Sequence, residues 1–139
     1  MKTRKIVAAW TTFLILAIWS MASLAAGSGV KDVTVEQAKQ LIQERGGKPD
    51  FVVLDVRTPG EFAEGRLPGA VNVDIQAPDF GNRLGALDRG KGYLVYCRTG
   101  NRSMKAVQVM QRLGFRSVYH MAEGILRWQK MGFPMTRVS

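Results

Sequence analysis

The chain has 139 residues, 46% hydrophobic and 22% charged, which fits one globular domain and excludes collagen-like, disordered and low-complexity chains. With one cysteine and one histidine it has no internal disulfide framework and no multi-cysteine zinc or iron–sulfur site, so any metal site would rest mainly on carboxylates. The net charge of +9 includes Lys2, Arg4 and Lys5, leaving 17 cations against 11 anions, a surplus of +6 that favours anionic partners. No basic run or basic region interleaved with aromatics follows residue 5, so nucleic acid is not an indicated partner.

Between Ile6 and Ala26 there is no charge, and 17 of 21 residues are apolar. A basic start, an apolar stretch strongest from Ile6 to Trp19 and the small-residue series Ala22-Ser23-Leu24-Ala25-Ala26-Gly27 are the layout of a secretory signal peptide. The pattern predicts a signal segment over residues 1–25, cleavage after Ser23-Leu24-Ala25, and an exported domain over 26–139, periplasmic in a bacterium. The competing reading is an uncleaved anchor, the chain's one expected membrane contact, because about 20 apolar residues can just span a bilayer.

From Val30 the chain reads as alternating strands and helices. Thr34-Val35-Glu36-Gln37 is a capping box opening a helix to about Glu44, with Gly46-Gly47 as the stop. Phe51-Val52-Val53-Leu54 reads as a strand buried on both faces. Thr58-Pro59-Gly60-Glu61 is a second capping box, with proline at the first helical position, and the short helix ends by Ala63 or Glu64. Val71-Asn72-Val73 is a minimal strand, Asp79 to Leu87 a short helix weakened by two glycines, and Tyr93 to Tyr96 a further strand. Ala106, Val109, Met110 and Leu113 recur at helical spacing before Gly114; Ser117 to Met121 reads as the last strand, and Ile125, Trp128 and Met131 mark the last helix. This alternation implies an α/β domain with a mostly parallel sheet, helices on both faces, and a ligand beyond the carboxyl ends of the strands.

Cys97 falls where the strand Tyr93–Tyr96 ends, and Arg98-Thr99-Gly100-Asn101-Arg102-Ser103 leads into the next helix. A short glycine-containing strand-to-helix loop turns backbone N–H groups inward, and the helix adds its positive end, so the loop is an anion cradle. A thiol at its rim ionises more easily beside peptide dipoles, Arg98 and Arg102, which makes Cys97 a candidate nucleophile without a histidine base. A free cysteine after an apolar strand is more commonly a buried small hydrophobe, but flanking arginines argue against that here. Asp55 and Arg57 lie at the same sheet edge, where Arg57 and Glu61 read as a helix-start ion pair. His120, near the end of the last strand, has no role that this chemistry demands, and Trp128 reads as core.

Leu54-Asp55-Val56-Arg57, Glu61-Phe62, Gly65-Arg66-Leu67-Pro68-Gly69-Ala70-Val71-Asn72, Cys97-Arg98-Thr99-Gly100-Asn101-Arg102-Ser103, and Gly124 with Trp128 and Gly132-Phe133-Pro134 together resemble a single-domain rhodanese from about Val33 to Pro134. The resemblance implies a five-stranded parallel sheet flanked by helices, with the cysteine loop as active site. It also implies sulfurtransfer: the cysteine takes a sulfane sulfur from a donor such as thiosulfate and passes it, as a persulfide, to a thiophilic acceptor such as cyanide or a thiol. Four residues separate Cys97 from Arg102; the dual-specificity phosphatases of similar fold have one more, a wider ring suited to a phosphoryl group. In this reading Cys97 attacks the outer sulfur, Arg98 and Arg102 hold the departing sulfite, and N–H groups from Thr99 through Gly100 and Asn101 to Ser103 stabilise the persulfide. Arg102 and Ser103 can instead brace the loop, Ser103 by capping the helix. No metal or organic cofactor is called for; the alternatives are a persulfide-binding module that delivers sulfur to a partner protein and, disfavoured by the loop count, a cysteine-dependent phosphatase. The chain departs from the family pattern at Arg66, where histidine is usual, and at Glu123, where the first of two glycines is usual.

Overall fold

A buried apolar strand can satisfy its backbone only beside other strands, and four of the five strands expected by resemblance are visible in the sequence as apolar or β-branched runs. The structure is a computed structural model and describes residues 29–138; the expected signal or anchor segment lies outside the described residues. The elements are β1 (Val30–Val33), α1 (Val35–Arg45), β2 (Phe51–Asp55), α2 (Pro59–Glu64), β3 (Val71–Asn72), α3 (Phe80–Gly85), β4 (Gly92–Tyr96), α4 (Asn101–Arg112), β5 (Ser117–Met121) and α5 (Gly124–Lys130). No described helix is long and apolar enough to cross a membrane.

The five strands form one sheet in the order β1-β5-β4-β2-β3, with every pairing between them parallel. All residues of the central strand β4 are buried. One face packs Leu54, Tyr93, Val95 and Val118 against Phe80 and Leu84 of α3 and Ala106, Val107 and Met110 of α4. The other packs Val53, Leu94, Tyr96 and Met121 against Val35 and Ala38 of α1 and Ile125 and Trp128 of α5. The fifth strand, β1, has no apolar run: Lys31 and Asp32 are exposed, and it is held as an edge by its register with β5, Asp32 beside His120.

Both predicted capping boxes form. Thr34 Oγ1 accepts from Gln37 N at 3.2 Å and Gln37 Oε1 from Thr34 N at 3.0 Å. Thr58 and Glu61 do the same at α2, with Pro59 at its first turn. From β2 the chain crosses to β3 on one side, and from β4 to β5 on the other. The crevice at such a reversal lies outside the carboxyl ends of β2 and β4, and Cys97 is the first residue beyond β4.

Candidate active site

The Cys97–Arg98 carbonyls are drawn away from the loop centre by α5, whose Ile125 N donates to Cys97 O at 2.9 Å and Leu126 N to Arg98 O at 3.2 Å. With these carbonyls taken by the start of α5, the loop N–H groups are left to face the sulfur. Gly100 N donates to Cys97 Sγ at 3.1 Å and Ser103 Oγ lies 3.3 Å from it. Two glycines permit this closeness. Gly100 stands at φ +98° and Gly124 at φ +71°; a Cβ on the first would strike the carbonyl of Ala122, and on the second the carbonyl of Arg98.

Cys97 is only 1% exposed, so the sulfur lies at the base of the loop and not at its rim. Burial alone pushes its thiol up, but the Ser103 hydroxyl and the backbone N–H groups of Ser103, Thr99 and Gly100 together bring it below its ordinary value. Hydrogen bonds, more than the arginines, carry that shift. Arg98 and Thr99, which follow Cys97 in the loop, are exposed, as is Asn101 at the start of α4. Among the described residues Arg98 has no carboxylate partner. Arg102 does: its Nη1 and Nη2 donate to Glu61 at 2.7 and 2.8 Å, which fastens the loop to α2 and holds the Glu61 carboxyl down at about 2. Ser103 does not cap α4, because the cap position is Gly100; its hydroxyl lies instead 3.1 Å from Gly100 O, inside the loop.

The helix-start pair of Arg57 with Glu61 is replaced by a different arrangement. Arg57 turns onto the buried Asp55, with Nη2 to Oδ2 at 2.6 Å, and donates to Gly65 O at 2.6 Å. Tyr96 Oη donates to Asp55 Oδ2 at 2.7 Å and accepts from Leu67 N at 3.1 Å. This network ties the ends of β2 and β4 to the segment after α2. Glu123 also has a defined place. It adopts ordinary helical angles, and its Oε2 accepts from Val35 N at 3.0 Å, so a side chain at the usual glycine position caps α1 across the sheet edge. Arg66 pairs its backbone with Thr136 and lays its guanidinium on Phe62, away from the sulfur.

Asp32 had no sequence signal, and His120, which the sequence places near the end of the last strand without a role, joins the site beside Ser103. His120, buried on the α4 face, places Nε2 2.8 Å from Ser103 Oγ, and its Nδ1 is 2.9 Å from Asp32 Oδ1.

Residues 34–131 match the Rhodanese-like domain family, and the chain belongs to that family. A protein of Allochromatium vinosum named "Sulfurtransferase" is 28% identical over 98 residues, covering 70% of this chain and 90% of its own. "Thiosulfate sulfurtransferase 16, chloroplastic" of Arabidopsis thaliana is 34% identical over 91 residues, 58% of this chain and 76% of its own. Among solved structures, a rhodanese-related protein of Thermoplasma volcanium superposes with a TM-score of 0.65 at 29% identity, covering 76% of this chain and 97% of that one.

Proposed function

We propose that the protein is an exported sulfurtransferase that moves a sulfane sulfur from thiosulfate, or a donor like it, through a Cys97 persulfide to cyanide or a thiol. The observation that carries this reading is the surround of Cys97 Sγ, with Gly100 N–H at 3.1 Å and Ser103 Oγ at 3.3 Å, together with the exposed Arg98 next in the chain. Those donors favour thiolate over thiol, and the same donors serve the anionic persulfide. The names of relatives from Allochromatium vinosum and Arabidopsis thaliana point to the same chemistry.

The steps balance without a cofactor. A thiolate lone pair forms the bond to the outer sulfur of thiosulfate, the S–S bond of thiosulfate breaks and sulfite leaves with the electron pair of that broken bond, giving the persulfide anion. Cyanide then attacks the terminal sulfur, leaving as thiocyanate and restoring the thiolate. Arg98 supplies the cation facing the leaving sulfite, whereas Arg102 is occupied by Glu61 and serves the loop. Incubation with thiosulfate is expected to add the mass of one sulfur at Cys97, and cyanide to remove it as thiocyanate. Arg98→Ala should slow loading roughly tenfold or more while slowing discharge less, since only loading expels a dianion. Equal sulfur gain by Cys97→Ser, or none by the wild type, overturns the reading and leaves the likeness as fold alone.

A further inference from the structure

Four groups from three strands or strand ends and one helix stand in series. Cys97 Sγ, at the end of β4, is 3.3 Å from Ser103 Oγ on α4; that oxygen is 2.8 Å from His120 Nε2 on β5; and His120 Nδ1 is 2.9 Å from Asp32 Oδ1 on β1. Cys97, Ser103 and His120 are buried, while the Asp32 side chain is 74% exposed. The series therefore runs from a sealed sulfur to a carboxylate in water.

The direction of each hydrogen bond follows from what the groups can donate. The Asp32 carboxylate only accepts, so His120 Nδ1 carries a proton and, in the neutral ring, Nε2 accepts. Ser103 has one hydroxyl proton for three neighbours: Nε2, Sγ and the Gly100 carbonyl. While Cys97 is a thiol, Ser103 gives that proton to Nε2 and accepts from S–H. Once Cys97 is a thiolate, Ser103 must donate to sulfur to stabilise it, and then only a protonated Nε2 can donate to Ser103 in turn. The two arrangements differ by one proton moved from sulfur to imidazole.

We infer that His120, oriented by Asp32, is the residue that takes the Cys97 proton through Ser103 and holds it as the counter-cation of the sulfur anion. The S–H bond breaks with its pair left on sulfur, Ser103 gains that proton and yields its own, and an N–H bond forms at Nε2. Net charge is conserved. In the sulfurtransfer proposed above, on which this inference rests for its purpose, thiolate, persulfide and regenerated thiolate are all monoanions, so the proton stays on His120 through the cycle and neutralises each. A satisfied core histidine would need neither the path to the sulfur nor a water-facing carboxylate on its far nitrogen. Asp32 from β1 is the charged group facing the ring, and Cys97 is the titratable group beyond Ser103. From α4, Arg102 is turned to Glu61 and Lys105 is exposed; the β4 residue paired with His120 is the apolar Val95. His120 is thus a positioning residue acting through Ser103, not a group that touches substrate.

The test uses the full-length chain and iodoacetamide, which alkylates thiolate without any sulfur donor. His120→Gln retains a side-chain amide for Ser103 but cannot hold the proton; the midpoint of alkylation rate against pH should rise by about one unit, roughly tenfold less thiolate on the acid side. Asp32→Asn should move it the same way by less. Because His120 is the chain's single histidine, its ring nitrogens can be read by NMR with no variant of the histidine itself. At a pH where Cys97 is ionised, wild type should show both ring nitrogens protonated, and Cys97→Ala should show one. An unchanged midpoint in folded His120→Gln, or the same ring state with and without the Cys97 sulfur, overturns the relay. Thiosulfate loading, measured separately, distinguishes the two ideas: a relay that shifts as stated in a protein that takes no sulfur refutes the function alone, and loading with an unshifted midpoint refutes the relay alone.

Discussion

At the scale of single residues the cysteine is the first test. With the Ser103 hydroxyl and three backbone N–H groups outweighing burial, alkylation of Cys97 is expected to reach half its limiting rate below the free-thiol value of about 8.5. Ser103→Ala should move that midpoint up, because it removes the hydroxyl and leaves the amides; a midpoint at or above the free value in the wild type would mean burial wins. Gly100 and Gly124 set the loop's shape for a different reason. Each holds a positive φ with a carbonyl where a Cβ would stand, so alanine at either should cost on the order of 3 kcal/mol from backbone strain and the displaced neighbour. Thermal unfolding measures it, and loss of only a few tenths of a kcal/mol would show that the loop relaxes. Most of this site was legible in the sequence, since the cysteine loop is one contiguous segment. The depth of the sulfur was not, because it depends on α5 drawing the loop carbonyls outward from 28 residues along the chain, through Ile125 and Leu126.

Among elements, the pair that joins α2 to α4 is ionic and the pair that joins α1 to α5 is a cap. Glu61 is lowered to about 2, chiefly by its hydrogen bonds from Arg102. A carboxylate with a depressed folded pKa contributes stability that is complete above its unfolded value of about 4.5 and is lost as pH falls toward 2. Discounted for its partial exposure, the contribution is about 1 kcal/mol. Denaturant unfolding of wild type and Glu61→Gln should therefore differ at pH 6 and converge near pH 2; a constant difference would exclude the ion pair as its source. Glu123 is the second case. Glu123→Gly, restoring the family's usual residue, should cost about 1 kcal/mol through loss of the cap on Val35 N, and Glu123→Gln should recover part of it. Capping boxes at Thr34 and Thr58 were legible because both partners lie within three residues. By contrast, the Glu61–Arg102 and Asp32–His120 contacts span 41 and 88 residues, and the second also needs β1, an edge strand that local pattern does not announce. The expected Arg57–Glu61 pair failed for a related reason: Asp55, two residues away and fully buried, offers a better-desolvated partner.

Across the whole molecule, five parallel strands place the polar groups of β2 and β4 at one edge, and that edge must be tied down before the loop can be positioned. Tyr96, Asp55, Arg57 and Leu67 do this in a network with every buried polar atom satisfied. Tyr96→Phe leaves one carboxylate oxygen with a donor fewer and Leu67 N with none, so it should cost about 1–3 kcal/mol, read from denaturant midpoints. Charge at the other end of the chain bears on where this fold operates. In the export we propose, Lys2, Arg4 and Lys5 ahead of the apolar Ile6–Trp19 stretch stay on the cytoplasmic side while the apolar stretch enters the export route, carrying the domain behind them across. Fractionation of cells expressing the full chain should recover the domain outside the cytosol, trimmed near Ala26 if the segment is cleaved or intact in the membrane fraction if it anchors. Removal of residues 2–25 should leave the domain in the cytosolic fraction, since the remaining sequence has no comparable uncharged run. Full-length protein accumulating untrimmed in the cytosol would refute export, and with it the compartment in which Cys97 would meet its sulfur donor.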